Sequence, residues 1–427
     1  MSPDLLDRLF IPRFRRSPRA IRPGLYHFTD VEADRVTRFH LRVDDDGAGM
    51  LIANATAAAR LSATGIVIAK GLLERQSESH LLTDLDSRFK DIPYEQQRDD
   101  IDHMKGLLRD LAHPGGKYPV FNLEDPTLSP NQTRLAPPIE ASIPLEDPRK
   151  LVLVLDRLWD ANIPHVTILA PEAPNPEWLV PAVQRAQSLG LISGVSGRAT
   201  DLAAGTLLDD LVAMGLDHLT LYYASAEAAL HDSFFGAGDH AAAEALFART
   251  QALALAEVGH VPLVQATLEG IEATLERLQA LNVPYAKFYA IAAENDTDPD
   301  GAIPAQAMPQ MASFIEDAAD RAHAHYQWEP PVLRDSNQSL IAQIRSGPRC
   351  ASDLAVRVEV DGSVIPPRGP LRVAGNLIRN DWPAIWHSDA FQSYRTRVES
   401  PTRCATCPGL AICAADCPRE PAGWSRP

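Results

Sequence analysis

The chain has 427 residues, of which 45% are hydrophobic and 22% charged, with a formal net charge of −16. That balance supplies no positive field for a nucleic-acid partner, whose phosphates dominate binding. No uninterrupted apolar run is long enough to cross a bilayer. Met1-Ser2-Pro3-Asp4 opens no secretory pattern, so the expectation is a cytoplasmic, multidomain protein with neither a nucleic-acid nor a membrane partner.

In chain order, the basic stretch Arg13 to Arg19 reads as a solvated terminal segment. Phe39-His40-Leu41-Arg42-Val43, the turn Asp44-Asp45-Asp46-Gly47 and Met50-Leu51-Ile52-Ala53-Asn54 alternate as a β-hairpin, and the acidic run is turn chemistry rather than a calcium site. Apolar spacing then predicts helices from Ala55 to Glu74 and from Tyr94 to Leu111. Together these make a small α+β module over 1–130, closed by linker punctuation at Gly115-Gly116 and from Asp125 to Pro130.

Residues 136–335 alternate short apolar strands with amphipathic helices, the pattern of parallel βα units. Predicted strands are Ile139–Ile143, Val166–Leu169, Leu191–Val195, Leu219–Tyr223, Leu263–Thr267 and Ala286–Ile291. Predicted helices are Arg149–Asn162, Glu177–Leu189, Leu202–Met214, Ala241–Val258, Ile271–Leu281 and Ala305–Ala324. Six repeats suggest a barrel, closed or partial, whose chemistry belongs in the loops after the strands. Those loops offer Glu172 with His231 and Asp232 as an acid/base set, against the simpler reading of carboxylates at helix starts. His323 and His325 read as packed or exposed side chains. No Ser/His/Asp set, Walker loop or HExxH occurs.

All five cysteines lie at or after Cys350. Four read Cys404-x2-Cys407-x5-Cys413-x3-Cys417, short gaps that let one loop wrap thiolates around an iron–sulfur cluster or a zinc ion, with His387 or Asp416 able to complete an incomplete set. An odd number of cysteines fits a disulfide framework poorly.

Cys350, Gly362 and the later cysteine group, joined by Gly375-Asn376-Leu377 and Ile385-Trp386-His387-Ser388-Asp389-Ala390-Phe391, resemble the SPASM extension of radical S-adenosylmethionine (SAM) enzymes. Upstream, Ile163-Pro164-His165-Val166 followed by Glu172 is similar to the strand and loop that grip the SAM amino group in that family. Ser196-Gly197-Arg198 and Gly215-Leu216-Asp217-His218 match its rhythm, and Leu25 to Glu74 resembles a leader-peptide recognition domain. The resemblance implies an α/β fold: a partial, TIM-like (β/α)6 radical SAM barrel over 136–335, the small module before it, and a Cys-rich SPASM-like extension over 345–427. It makes Glu172 the candidate cofactor-binding residue and Cys350, Cys404, Cys407, Cys413 and Cys417 the candidate metal ligands.

The departures decide the functional expectation. The Cys-x3-Cys-x2-Cys loop of the family is missing between Ile139 and Pro148, and its Gly-Gly pair has become Ala170-Pro171, where proline removes a backbone donor. Reductive SAM cleavage in the barrel is therefore not expected. Pro367 stands where the extension should carry its second cysteine. By the family's assignment Cys350 and Cys417 serve one cluster, and Cys404, Cys407 and Cys413 the other. A rearranged set could instead place the last four thiols on one zinc or one 4Fe-4S cluster, or hold nothing. The first reading is a pseudoenzyme that binds a peptide substrate or an intact radical SAM relative. The alternatives are an iron–sulfur enzyme or electron carrier using the tail, and an unrelated barrel enzyme using Glu172, Glu227 or Asp232.

Overall fold

The structure is a computed structural model and describes residues 21–32, 35–55, 57–89, 92–113, 120–121, 138–253, 255–283, 285–293, 300–351, 355–367, 369 and 371–392. The linker punctuation at Gly115-Gly116 and from Asp125 to Pro130 lies outside them.

The first sheet runs β1 (Gly24–Glu32), β2 (Arg35–Val43), β3 (Gly49–Ala53) and β4 (Ala57–Leu61), all antiparallel neighbours. Helices α1 (Ala63–Leu73), α2 (Glu78–Arg88) and α3 (Tyr94–Ala112) follow, and β5 (Val120–Phe121) joins β4 in parallel. The expected hairpin is β2–β3. Its turn is closed by Gly47 at φ +85, with the Ala48 N–H donating to Asp46 Oδ1 at 2.9 Å. Phe39, Leu41 and Val43 point to one face, where Leu51, Ile66, Leu81 and Ile101 complete a core. The helix expected from Ala55 starts only at Ala63. Ala57, Ala59 and Leu61 are buried and Arg60 exposed, so an alanine run with good helix propensity serves instead as a half-buried strand. The Ser62 hydroxyl then accepts the Gly65 N–H and caps α1.

The second sheet is an open barrel of parallel βα units. Its strands and helices alternate as β6 (Glu140–Pro144), α4 (Pro148–Asp160), β7 (His165–Leu169), α5 (Pro176–Leu189), β8 (Ile192–Gly197), α6 (Ala199–Leu202), α7 (Leu207–Ala213) and β9 (His218–Tyr222). Then come α8 (Ala228–Phe235), α9 (Asp239–Thr250), β10 (Ala256–Leu263), α10 (Gln265–Leu268), α11 (Ile271–Ala280) and β11 (Tyr285–Ala293). Beyond them, β12 (Ile303–Pro304), β13 (His325–Trp328) and β14 (Val332–Leu333) extend the β11 side, with α12 (Met308–Arg321) between β12 and β13. After α13 (Leu340–Ser346), β15 (Ala355–Val358) pairs in parallel with β6 and carries the antiparallel β16 (Ser363–Ile365) and β17 (Gly375–Asn376); α14 (Trp382–Trp386) follows. The six strands β6 to β11 are the partial (β/α)6 barrel expected from the repeats.

Three spans differ from the sequence reading. The helix expected over Leu202–Met214 is split into α6 and α7, with Gly205 between them at φ +58. The helix expected through Val258 ends at Thr250, and the strand expected at Leu263–Thr267 is β10, which ends where that prediction begins. Pro262 argues against a central strand, yet it costs no hydrogen bond here. His260 O accepts the Tyr223 N–H and is the last β10 residue registered with β9, so at Pro262, which faces the same side, there is no partner to lose. Gly259 leaves room for the Leu278 side chain, whose Cδ1 a Cβ there would meet at 2.8 Å.

Glu257, also on β10, is 8% exposed and its Oε1 has no hydrogen-bond partner among the described residues, so burial pushes its carboxyl up to about 7. An acid whose folded pKa exceeds its ordinary 4.5 loses stability as pH rises from that value through about 7. Glu257→Gln should stabilise the protein by about 2–3 kcal/mol at pH 8 and by little at pH 4, a difference measurable in paired urea titrations. An equal effect at both pH values would show that the carboxyl is ordinary.

The helix-free face of the first sheet rests on the amino ends of the barrel strands. Arg38 Nη1 donates to Leu216 O at 2.7 Å and to Asp217 Oδ1 at 3.0 Å, and Asn162 Nδ2 donates to Val43 O at 3.1 Å. Met50 and Ile52 pack on Ile192. Among the described residues no helix is long and apolar enough to cross a membrane.

Candidate functional site: a polar barrel lumen

Side chains alternate along each barrel strand. Ala141, Ile143, Val166, Ile168, Leu219, Leu221 and Val261 belong to the apolar layer under the helices. The intervening residues are polar and face the lumen: Glu140 and Ser142 on β6, His165 and Thr167 on β7, His218, Thr220 and Tyr222 on β9, His260 on β10 and Lys287 on β11. Barrel interiors are ordinarily filled by branched aliphatic residues, and buried polar groups are costly unless partnered.

The floor of the lumen is well partnered. Glu140 Oε1 accepts the Thr167 hydroxyl at 2.6 Å. Burial alone would raise the Glu140 carboxyl, but Lys287, His165, the Thr167 bond and His218 outweigh it and hold the group at about 2. The Nε2 atoms of His165 and His218 lie 2.6 Å apart, so one ring donates and the other accepts. Burial lowers both imidazoles, His218 the further, with Lys287 adding to the effect. Neither ring therefore carries charge near neutral pH.

Higher up, His260 Nε2 meets Glu329 Oε2 at 2.5 Å. Burial pushes the Tyr222 hydroxyl up to about 12, so it stays protonated as a donor. These groups and Lys287 enclose a cavity of about 30 Å³ that is also lined by Ser346, Gly347 and Cys350. The strand mouths above are covered by α13. Leu340 and Ile344 bury among Tyr222, Phe234, Phe235 and Tyr289; Tyr289 Oη donates to Ile344 O at 2.5 Å and Arg345 Nε to Phe234 O at 2.6 Å.

The acid/base set expected from sequence does not converge. Glu172 is an exposed carboxylate held by Arg198 at 3.1 Å and Arg345 at 3.3 Å. Asp232 accepts the Gly238 and His240 N–H groups at the start of α9, and His231 is buried against Asp239 at 3.1 Å. Glu227 sits just before α8. His323 ends a turn at φ +53, and His325 stacks on Tyr285. Sequence reasoning missed His260, Glu329 and Lys287. His260 fell outside the strand predicted at Leu263–Thr267, but Lys287 lay inside an apolar predicted strand, and a lone lysine there was the available signal.

The residues present in the barrel do not fit a thiolate-bound cluster. β6 passes to α4 through Leu145-Glu146-Asp147 alone, and Asp147 Oδ1 spends its lone pairs on the Arg149 and Lys150 N–H groups. No cysteine precedes Cys350. Cys350 is buried at 1% exposure against Ala351 and Ala355, whereas Cys404, Cys407, Cys413 and Cys417 lie outside the described residues. Among the described residues no group of three or more His, Cys, Asp or Glu side chains could hold a metal ion.

Residues 350–408 match the model of the SPASM family, an iron–sulfur cluster-binding domain. The match includes Cys350, Cys404 and Cys407. No curated protein matches the chain. Among solved structures the fold is similar to that of Streptococcus suis SuiB bound to S-adenosylmethionine, with 11% identity, 91% of this chain and 95% of that chain covered, and a TM-score of 0.52. Native anSMEcpe with bound AdoMet and a Kp18Cys peptide covers less, at 11% identity, 66% of this chain, 90% of that chain and a TM-score of 0.45. The chain thus shares its overall fold with SuiB, and its residues 350–408 match the SPASM family.

Proposed function

We propose that this protein is a radical SAM/SPASM relative that no longer cleaves SAM in its barrel and serves as a binding or scaffolding partner in peptide or protein modification. The turn Leu145-Glu146-Asp147 carries this reading, because it occupies the position of the cluster loop and offers no thiolate. Two further features support it. Glu172, the counterpart of the SAM-gripping residue, is spent on Arg198 and Arg345, and a cavity of about 30 Å³ under α13 is far too small for a nucleoside. The first module suits a peptide partner: β1 is the edge of its sheet, and an extended segment can add to such an edge through main-chain hydrogen bonds.

A second reading keeps the same fold and makes the tail an electron carrier or iron–sulfur enzyme. It is favoured by the SPASM match and by the thiols clustered from Cys404 onward. One preparation tests both. Full-length protein purified without oxygen is assayed for iron, sulfide, zinc and visible absorbance, then incubated with SAM and dithionite. The expected result is no SAM cleavage, whatever the tail holds. Products of SAM cleavage would sink the first reading; zinc alone, or no metal, would sink the second.

A further inference from the structure

Three polar groups around the lumen cavity have hydrogen-bonding capacity that no described residue fills. Thr220 is 3% exposed and His260 4% exposed, and among the described residues neither Thr220 Oγ1 nor His260 Nδ1 has a hydrogen-bond partner. Lys287 lines the same cavity and, among the described residues, has no hydrogen-bond or ion-pair partner. The nearest carboxylates have partners of their own: Glu140, whose charge Lys287 helps to stabilise without a direct bond, accepts the Thr167 hydroxyl, and Glu329 is bound to His260 Nε2. Native interiors rarely leave such atoms orphaned, and several of them around one cavity call for a guest that completes them.

We propose that the lumen binds a small free carboxylate, held by Lys287 Nζ and Thr220 Oγ1 beside the His260–Glu329 pair. The chemistry selects this class. An ammonium group facing the cavity disfavours a metal cation or amine, and an ionised carboxylate offers two oxygens rich in lone pairs to two waiting donors. Glu329 fixes the His260 imidazole through Nε2 and so sets the wall beside the guest. Size selects within the class. A water needs roughly 10–15 Å³ of such space, so a cavity of about 30 Å³ accommodates a group of a few heavy atoms, such as formate or acetate, and no aromatic acid. Gly347 lies beside Tyr222 and His260 on the wall of the cavity.

The proposal is independent of SAM cleavage and is tested on the full-length chain by following the relaxation of carbon-13-labelled formate and acetate, with chloride at matched ionic strength as control. Saturable binding at one site is expected, weakened about tenfold or more by Lys287→Met and by Thr220→Val, with no binding of benzoate. Thr220→Val conserves shape and keeps the test valid should Lys287→Met fail to fold. Binding that does not saturate, that survives Thr220→Val unchanged, or that admits benzoate equally well would overturn the site and leave the cavity to water.

Discussion

Asp217→Ala is expected to cost about 3–5 kcal/mol, the range for removing one partner of a buried charge pair. Asp217 is 3% exposed at the amino end of β9 and ties three elements together. Its Oδ2 accepts the Ser193 N–H at 2.8 Å, and its Oδ1 accepts Arg38 Nη1 at 3.0 Å with His40 Nε2 at 3.7 Å. The truncation orphans the Ser193 amide and leaves the Arg38 guanidinium between the two sheets with, among the described residues, only the Gly215 and Leu216 carbonyls. Burial by itself would raise the Asp217 carboxyl, but His40, Arg38 and the Ser193 N–H outweigh it and hold the group at about 2, below its ordinary 3.8. A lowered carboxyl contributes stability that is complete above the ordinary value and is lost as pH falls through the folded one, here on the order of 2 kcal/mol between about pH 4 and pH 2. Urea titrations at pH 7 and pH 3 should show the parent losing more on acidification than the variant. Limited proteolysis should release the first module more readily from the variant. A loss below about 1 kcal/mol at pH 7 would mean that apolar contact, not this ion pair, holds the two sheets together.

What was legible in the sequence was whatever depends on local periodicity. The β2–β3 hairpin follows from alternation across an acidic turn ending in Gly47. Five of the six barrel strands follow from short apolar runs between capped helices. The missing loop before Pro148 was readable because it needed only a count of residues and thiols, and the structure places a short capped turn there. β10 was hidden because Gly259 and Pro262 are poor strand residues alone. Their positions make sense only beside Leu278 and beyond the end of β9, which are tertiary facts. The lumen was hidden for a related reason. His260, Lys287 and Glu329 are far apart in the chain and form no motif, and only closure of the sheet brings them around one cavity. Conversely, Glu172 and Asp232 attracted notice as loop carboxylates, and the structure spends them on two arginines and a helix start.

Gly194→Ala tests the floor of that lumen most severely. Gly194 on β8 is registered directly opposite His218 on β9, and a Cβ there would lie 1.8 Å from His218 Nε2 and 1.9 Å from its Cε1. The ring has no easy retreat, since its Nε2 is bonded to His165 at 2.6 Å and the two imidazoles sit edge to face with centroids 4.7 Å apart. Overpacking a close-packed site typically costs 1–3 kcal/mol, and a backbone-borne methyl driven into a locked ring belongs at or above the top of that range, roughly 3 kcal/mol. Gly106→Ala makes the contrast: it lies within α3 with nothing within 4 Å of its added methyl, and should stabilise by about 0.5–1 kcal/mol. Because the clash is with one side chain, His218→Ala should cost less in the Gly194→Ala background than in the parent, a coupling that denaturant titrations of the four proteins resolve. Independent, additive losses would mean that β8 and β9 yield without involving the histidine pair. A small carboxylate bound above the pair would then have a softer floor beneath it than the hydrogen bonds of Glu140, Thr167, His165 and His218 imply.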